Sequence, residues 1–168
     1  LSDWARLDPD LPGPPVPAKV DAAIAQVIPG QVDETGQILE IGTIAATPVQ
    51  AFIKQKVKKS GRTTGLTSSF VAAINVTLQV GYTNECDGDI FTKWFTGQIF
   101  VRNHNGRFLA AGDSGSLMVQ NLKVNPAPIG LLFAGSDIVA VANPIGAVLD
   151  YLKVQMVGVP GGALASGE

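Results

Sequence analysis

Apolar residues recur along the chain in short runs that are rich in Val, Ile, Thr and Phe, and glycine or proline bounds most of these runs. Runs of this length and composition are typical of β-strands. The pattern predicts strands at 20–27, 38–47, 50–61, 69–82, 90–102, 116–120, 128–135 and 137–142. A helix is predicted at 145–154, where Asn143 and Pro144 fit an N-cap and a first helical position. We therefore predict an all-β domain with a short C-terminal helix.

Two polar features lie on these strands. Between Phe52 and Lys59 apolar residues alternate with lysines, which places the lysines largely on one face and the apolar residues against a core. We interpret the lysine face as solvated, in preference to a nucleic-acid patch. Asn105 and Gly106 tolerate the positive φ angles of a tight turn, so they predict a hairpin with His104 at its tip.

Composition limits the classes of protein that fit. The 168 residues contain 46% hydrophobic and 15% charged side chains, as expected for one packed domain. A net charge of −2 gives no reason to expect nucleic acid or an anionic membrane as a partner. The single cysteine, Cys86, cannot form an internal disulfide, a usage typical of reducing compartments and of many bacterial proteins. A cytoplasmic location is therefore favoured over a disulfide-forming extracellular one.

The segment Gly112-Asp113-Ser114-Gly115-Ser116 is the strongest indication of chemistry. A serine hydroxyl becomes nucleophilic only where a base takes its proton and donors receive the oxyanion, so it needs a tight turn rich in backbone amides. The glycines permit such a turn, and Asp113 would point away and fix the loop. Gly, Asp and Ser are also ordinary turn residues, so the five residues alone fit a plain strand-to-strand turn equally well.

Other catalytic classes fit less well. An α/β-hydrolase elbow needs glycine where Ser116 stands, and its histidine should follow the serine. Zinc chemistry would need more histidine and cysteine than one of each, and the acidic loop with Glu85, Asp87 and Asp89 fits a solvated loop better than a calcium site. The segment 61–65 lacks the Gly-Lys-Ser/Thr ending of a phosphate loop, and we interpret it as a turn lining a cleft.

The surroundings of Ser114 resemble those of trypsin-like, chymotrypsin-fold serine peptidases. AAGDSGSLMV at 110–119 is followed by PIGLLFAGS at 128–136 and ANPIGAVLDYL at 142–152, which is the family's order of nucleophile loop, strand pair and C-terminal helix. KKSGRTTGLTSSF at 58–70 is similar to the family's entry into the second barrel. The likeness is to disulfide-free bacterial and plant members. It implies a chymotrypsin-like double β-barrel whose second barrel is complete and whose first is partial.

The resemblance also divides the chain. Residues 1–18 are a proline-rich lead-in, and 19–55 would be the remainder of the first barrel with its triad aspartate. Residues 56–154 would form the second barrel with the nucleophile loop and the helix, and 155–168 a flexible tail.

Residue roles follow from the same likeness. Asp21, in VDAAIAQV, matches the aspartate that orients the catalytic histidine, and Ser114 matches the nucleophile. The amides of Gly112 and Ser114 would form the oxyanion hole. The substrate pocket would be walled by Phe108, Leu109, Ala134, Gly135 and Ser136. No acid is expected at its base, so we expect a small or apolar side chain before the scissile bond. No metal or organic cofactor is implied.

The departure from the family is the general base. The family's histidine precedes the aspartate, whereas the chain contains one histidine, His104, which follows Asp21. We therefore expect a serine endopeptidase acting on protein or peptide substrates, in the form of a C-terminal portion of a longer or cleaved precursor. The partner that supplies the histidine would be the N-terminal segment of that precursor. The alternative is a catalytically inactive, protease-like binding or scaffolding module.

Overall fold

The structure, a computed structural model, describes residues 2–7, 16–83, 90–105 and 107–160. Within these ranges the chain forms ten strands and one helix. They are β1 (Asp3–Trp4), β2 (Ala23–Ile24), β3 (Gln37–Ile38), β4 (Gly42–Thr43), β5 (Lys56–Gly61), β6 (Gly65–Thr83), β7 (Ile90–Arg102), β8 (Leu117–Gln120), β9 (Pro128–Gly135), β10 (Val139–Pro144) and α1 (Ile145–Leu152). The prediction of an all-β fold with a short C-terminal helix is confirmed. The acidic loop at 84–89, with Cys86 and its three acids, Gly106 and residues 161–168 lie outside the described residues.

Six strands close into an antiparallel barrel in the order β10-β7-β6-β5-β8-β9. Closure gives each strand two neighbours within the barrel itself. Its interior is mainly apolar; the buried members include Val57, Val71, Val101, Met118, Ile129 and Leu132. On β5 the more buried and less buried side chains alternate, as expected for a strand with one face on a core, whereas β8, β9 and β10 contain consecutive buried residues.

Strands β6 and β7 are the longest in the chain, at 19 and 13 residues. Their pairing shifts register three times between Val71 and Leu78. Beyond these shifts, residues 78–83 of β6 pair with residues 90–95 of β7, and β10 pairs with β7 only at 99–102. The two strands therefore continue past the barrel as a two-stranded extension, which we call the β6–β7 arm (residues 78–83 and 90–95).

The segment that precedes the barrel contains much less strand than its composition predicts. The expected strands at 20–27 and 38–47 are reduced to β2, β3 and β4, each two residues long. A strand extends only while a neighbour accepts and donates its backbone hydrogen bonds. β2 has such a neighbour, β1, over only two residues, and β3 pairs with β4 across a short turn.

Packing fixes the segment 16–22 instead of a sheet ladder. Val20 and Ala22 are buried against Ile145, Val148 and Leu152 of α1. Ala18 pairs in parallel with Phe95 of β7 through hydrogen bonds to both sides of that residue. This part of the chain is therefore attached to the outside of the barrel.

The helix begins differently from the prediction. Pro144 is the N-cap residue and makes no side-chain capping bond, whereas Asn143 was expected to cap. The Asn143 side chain is fully buried and binds the Asp21 backbone, donating to its carbonyl at 2.8 Å and accepting from its amide at 3.0 Å. The amide group serves this long-range contact, so it is not free to cap α1.

Two further local predictions are wrong. Arg107 N–H bonds the His104 carbonyl, which confirms a turn at 104–107. However, the flanking segments do not pair as a hairpin, because β7 pairs with β6 and β10 while the next strand, β8, joins β5 and β9. In the segment around β5, Phe52 and Ile53 are exposed in a turn and do not contact a core.

Lys59 departs most from the expected solvated lysine face. It lies on β5 on the same side as the buried Val57, and both side chains are 0% exposed. Its ammonium group contacts the carboxylate of Asp113 at 3.0 Å and also donates to Thr64 Oγ1 and to the Gly65 carbonyl. A buried ammonium needs a charged partner and further acceptors, because desolvation of an isolated charge costs more than a domain can tolerate.

Asp113 accepts hydrogen bonds on both carboxylate oxygens. Oδ1 accepts from the Thr63 and Thr64 amides at 2.8 and 3.2 Å. Oδ2 accepts from Thr64 Oγ1 at 2.7 Å and from the Ala110 amide at 3.1 Å, in addition to Lys59. Burial acts to raise the pKa of Asp113, but these donors outweigh it and hold the pKa far below the ordinary value of 3.8. The turn between β5 and β6 is thereby bound to the loop before β8.

Removal of the Lys59 charge is expected to destabilise the barrel strongly. Lys59→Met keeps most of the side-chain volume but leaves the Asp113 carboxylate buried without its cation, so the free energy of unfolding should fall by about 3–5 kcal/mol. The matched control is Lys56→Met on the same strand, where the side chain is exposed and a change within about 0.5 kcal/mol is expected. Urea unfolding at pH 7 measures both variants.

The same pair makes a prediction for pH. Because the pKa of Asp113 is lowered on folding, its stabilisation is complete above the ordinary value of 3.8 and is lost as the pH falls from there toward the lowered value. The gap in free energy of unfolding between wild type and Lys59→Met should therefore be present at pH 7 and should narrow as the pH falls and Asp113 becomes protonated, first in the variant, where no cation lowers its pKa. Equal stability of the two proteins at pH 7 would contradict this account of the ion pair.

Candidate active site

The loop before β8 presents Ser114 to solvent. Gly112 and Gly115 have φ angles of 93° and 86°, a backbone conformation that residues other than glycine rarely adopt. Between them Asp113 turns inward to its buried ion pair, and this leaves Ser114 exposed on the opposite side. The Ser114 hydroxyl donates a long hydrogen bond of 3.3 Å to the Phe133 carbonyl on β9. The loop is closed onto the same strand by the Gly115 amide, which donates to the Leu132 carbonyl at 2.7 Å.

Backbone amides in this loop are available to a substrate oxygen. Among the described residues no group accepts a hydrogen bond from the amides of Gly112 or Ser114. A methyl group at Gly112 would meet the Arg62 and Thr63 side chains at 2.5 and 2.6 Å. Glycine is therefore required there both by its φ angle and by the turn that packs against it. Two amides without an acceptor, one at a serine and one two residues before it, are the kind of donor that an oxyanion hole requires.

A cavity of about 300 Å³ adjoins Ser114. Its lining is made of small side chains and one acid: Leu109, Ala110, Ala111, Ser114, Ala134, Gly135, Ser136 and Asp137. Four of the five residues assigned to the pocket from the sequence lie in it. Phe108 does not, because its side chain is buried in the barrel core. Asp137, which was not among the residues assigned to the pocket, also lines the cavity and is exposed to solvent.

Asp21 lies on the attached segment and is held from two sides. Asn143 on β10 binds its backbone amide and carbonyl, as described above. The hydroxyl of Tyr82, on the β6–β7 arm, donates to its carboxylate Oδ2 at 2.7 Å. Burial raises the pKa of Asp21 above its ordinary value, and the hydrogen bond from Tyr82 opposes this rise. Burial, followed by the hydrogen bond and charge of Asp21, raises the pKa of Tyr82, so its phenol stays protonated and acts as the donor.

Aromatic side chains connect the surroundings of Asp21 to those of Ser114. The Tyr82 ring stacks on Phe91 with a centroid separation of 5.4 Å and lies 6.3 Å from Phe95. Phe95, which is completely buried, contacts Phe133 at 5.1 Å. Phe133 is the residue whose carbonyl accepts from Ser114. Tyr82, Phe95 and Phe133 thus form a continuous row of contacts, with Asp21 at one end and Ser114 at the other.

His104 is exposed in the turn after β7 and makes no hydrogen bond to Ser114 or Asp21. Among the described residues no group of three or more His, Cys, Asp or Glu could hold a metal ion. The described part of the chain also has no helix long and apolar enough to cross a membrane.

Three residues at the site were missed from the sequence: Lys59, Tyr82 and Asn143. The burial of Lys59 could have been predicted, because Lys59 shares a strand face with the apolar Val57. The contact of Tyr82 with Asp21 depends on the direction of the long, bulged β6–β7 arm. The contact of Asn143 with Asp21 joins residues 122 positions apart. Neither of these follows from local spacing.

Solved structures with the same fold are serine proteases. A glutamic-acid-specific serine protease, which uses a histidine triad in substrate binding, matches with a TM-score of 0.50 and 23% identity over 81% of this chain and 64% of that one. Protease A of Thermobifida fusca matches with a TM-score of 0.53 and 18% identity over 73% and 59%. Cellulomonas bogoriensis chymotrypsin matches with a TM-score of 0.50 and 19% identity over 71% and 57%.

These matches show a chymotrypsin-like, serine-protease fold, and they confirm the resemblance inferred from the sequence. The chain spans less than two thirds of the length of each of the three proteases. No curated protein matches the chain. The model of one protein family, the Nal1 C-terminal domain, matches residues 14–141, which is most of the chain. The chain therefore belongs to the Nal1 C-terminal domain family, within a chymotrypsin-like fold.

Proposed function

We propose that this chain carries the nucleophile of a serine endopeptidase. The observation that supports this most directly is the Ser114 loop, where an exposed hydroxyl, two unpaired amides and a lined cavity meet on a loop held by a buried ion pair. A plain turn between strands needs none of these features together. The fold of the related proteases is consistent with protein or peptide substrates, although fold likeness alone does not assign an activity.

The proposed reaction is acyl transfer. Ser114 Oγ attacks the scissile carbonyl carbon while a histidine takes its proton, and the amides of Gly112 and Ser114 receive the negative charge on the carbonyl oxygen. The histidine then protonates the leaving amine as the C–N bond breaks. Water attacks the resulting ester in the same way, its proton goes to the histidine, and Ser114 regains a proton as the acid leaves. Asp21 orients the histidine and stabilises the imidazolium.

The histidine is proposed to come from a segment outside these 168 residues. His104 is exposed and bonded to neither proposed partner, so it is a poor candidate for the base. The proteases of like fold are longer than this chain, which is compatible with a further, histidine-bearing segment of the same precursor. In this proposal residues 19–55 are the remainder of a first barrel. Without such a segment the alternative is a protease-like binding or scaffolding module.

Labelling of the nucleophile tests the enzyme directly. In the longer precursor or its native complex, a fluorophosphonate probe should label Ser114, and Ser114→Ala should abolish the label. Ser68→Ala, at an exposed serine on β6, is the matched control and should label like wild type. Intact mass and N-terminal sequencing of the same material identify the histidine-bearing segment. A native complex that contains this segment but does not label at Ser114 would favour the scaffolding alternative.

Asp21 should act on the chemical step. Asp21→Asn keeps the shape of the side chain but removes the charge that stabilises the imidazolium, so kcat should fall about 10³- to 10⁴-fold with little change in KM. Asp3→Asn, at an exposed position on β1, should leave both constants unchanged. Steady-state kinetics on a peptide substrate measures the two variants. A loss confined to KM would instead give Asp21 a role in substrate binding.

Cleavage specificity should reflect the cavity next to Ser114. Its small volume and alanine-rich lining favour a small or apolar side chain before the scissile bond. The exposed carboxylate of Asp137 lies in water, where a single ion pair contributes little, so it should not impose a preference for Lys or Arg. A peptide library digested by wild type and Asp137→Asn should give the same profile. A wild-type profile dominated by Lys or Arg that Asp137→Asn abolishes would overturn this expectation.

A further inference from the structure

The carboxylate of Asp21 is held by a side chain that has no role in the proposed triad. Asn143 fixes the backbone of Asp21 but leaves its side chain free to rotate. The Asp21 carboxylate itself is held by the hydrogen bond that the Tyr82 hydroxyl donates to Oδ2, at 2.7 Å. A carboxylate without such a donor would sample several rotamers and would spend only part of its time aimed at a histidine.

The position of the Tyr82 hydroxyl is itself determined by the β6–β7 arm. Tyr82 pairs with Phe91 across the two strands, and the rings stack at 5.4 Å. Three register shifts lie between Val71 and Leu78, before the paired strands reach Tyr82. Bulges of this kind commonly re-aim a side chain next to a site. A tyrosine held by aromatic neighbours has little freedom to lose when its hydroxyl bonds the carboxylate.

The chemistry of the contact suits an orienting role. A carboxylate offers about four lone-pair positions, so one hydrogen bond at Oδ2 leaves room for the N–H of an imidazole. A phenol that donates to the carboxylate favours its charged form, and the charged form is the one that stabilises an imidazolium. The hydrogen bond from Tyr82 lowers the pKa of Asp21 and opposes the rise that burial causes. The contacting group from β10, Asn143, is uncharged, and the rings of β7 next to Tyr82 are Phe91 and Phe95.

We propose that Tyr82 is a positioning residue for the reaction: through its hydroxyl, the β6–β7 arm aims the Asp21 carboxylate at the catalytic histidine. The inference rests on the proposed endopeptidase function. It gives the arm a role beyond that of a surface extension, because the arm also contacts, through Phe95, the residue Phe133 whose carbonyl bonds Ser114. The hydroxyl group carries the role, and the ring carries the packing.

The test compares Tyr82→Phe with Tyr151→Phe in the active, histidine-containing protein. Tyr82→Phe keeps the ring and its stacking but removes the donor, so the fold and melting temperature should change little. We expect kcat to fall about 10- to 100-fold, the range of one hydrogen bond to a charged group, with KM nearly unchanged. Tyr151 is half exposed on α1, and Tyr151→Phe should keep wild-type constants.

A second readout separates positioning from packing. Loss of the donor should raise the pKa of Asp21 further, so the acidic limb of the kcat–pH profile should move to higher pH in Tyr82→Phe and not in Tyr151→Phe. The carboxyl ¹³C resonance of Asp21 should titrate with the same shift. Unchanged kcat and an unchanged acidic limb in a protein that still labels at Ser114 would overturn this inference and leave the proposed function intact. Absence of Ser114 labelling in wild type would overturn both.

Discussion

The buried ion pair between Lys59 and Asp113 is the interaction on which the rest of the site depends. Lys59 is part of the barrel wall, and Asp113 is part of a loop that belongs to no strand or helix. The carboxylate collects donors from the β5–β6 turn and from Ala110, so the loop can take only the path that brings Asp113 inward. Ser114 faces outward as the direct consequence. A buried pair of this kind adds little net stability compared with an apolar pair, but it specifies one geometry.

Asp21 is attached to the six-stranded barrel, although it precedes that barrel in the chain. Its segment packs on α1, pairs with β7 and is bound by Asn143 of β10. The buried Gln98 of β7 adds a hydrogen bond to the Lys19 carbonyl. Asp21 and Ser114 are therefore both attached to the same six-stranded barrel by contacts of the described residues. Under the proposed function, the histidine is the group that another segment has to supply.

The contrast between what the sequence predicted and what it missed has a physical basis. The barrel strands and α1 follow from local alternation and composition, because each buries its own apolar face. The Ser114 loop was recognisable because glycines at positive φ are a local requirement. By contrast, the burial of Lys59, the diversion of Asn143 from capping, and the contact of Tyr82 with Asp21 all depend on partners 54, 122 and 61 residues away. The predictions of longer strands between residues 20 and 47 were wrong for the same reason, since composition does not reveal whether a neighbouring strand is present.

The attachment of Asp21 also bears on the order in which the site assembles. Strand pairs in the barrel join residues at most 63 positions apart, as Val57 and Gln120 are, whereas the contact between Asp21 and Asn143 joins residues 122 positions apart. The strand pairing of the Asp21 segment is limited to the two residue pairs of β1 and β2 and the single bridge of Ala18. Closing so long a loop is entropically costly, and few backbone bonds hold it once formed. We therefore expect the segment with Asp21 to dock after the barrel has formed and to detach before the barrel unfolds. Under the proposed function, the Ser114 loop would then form before Asp21 reaches its place in the site.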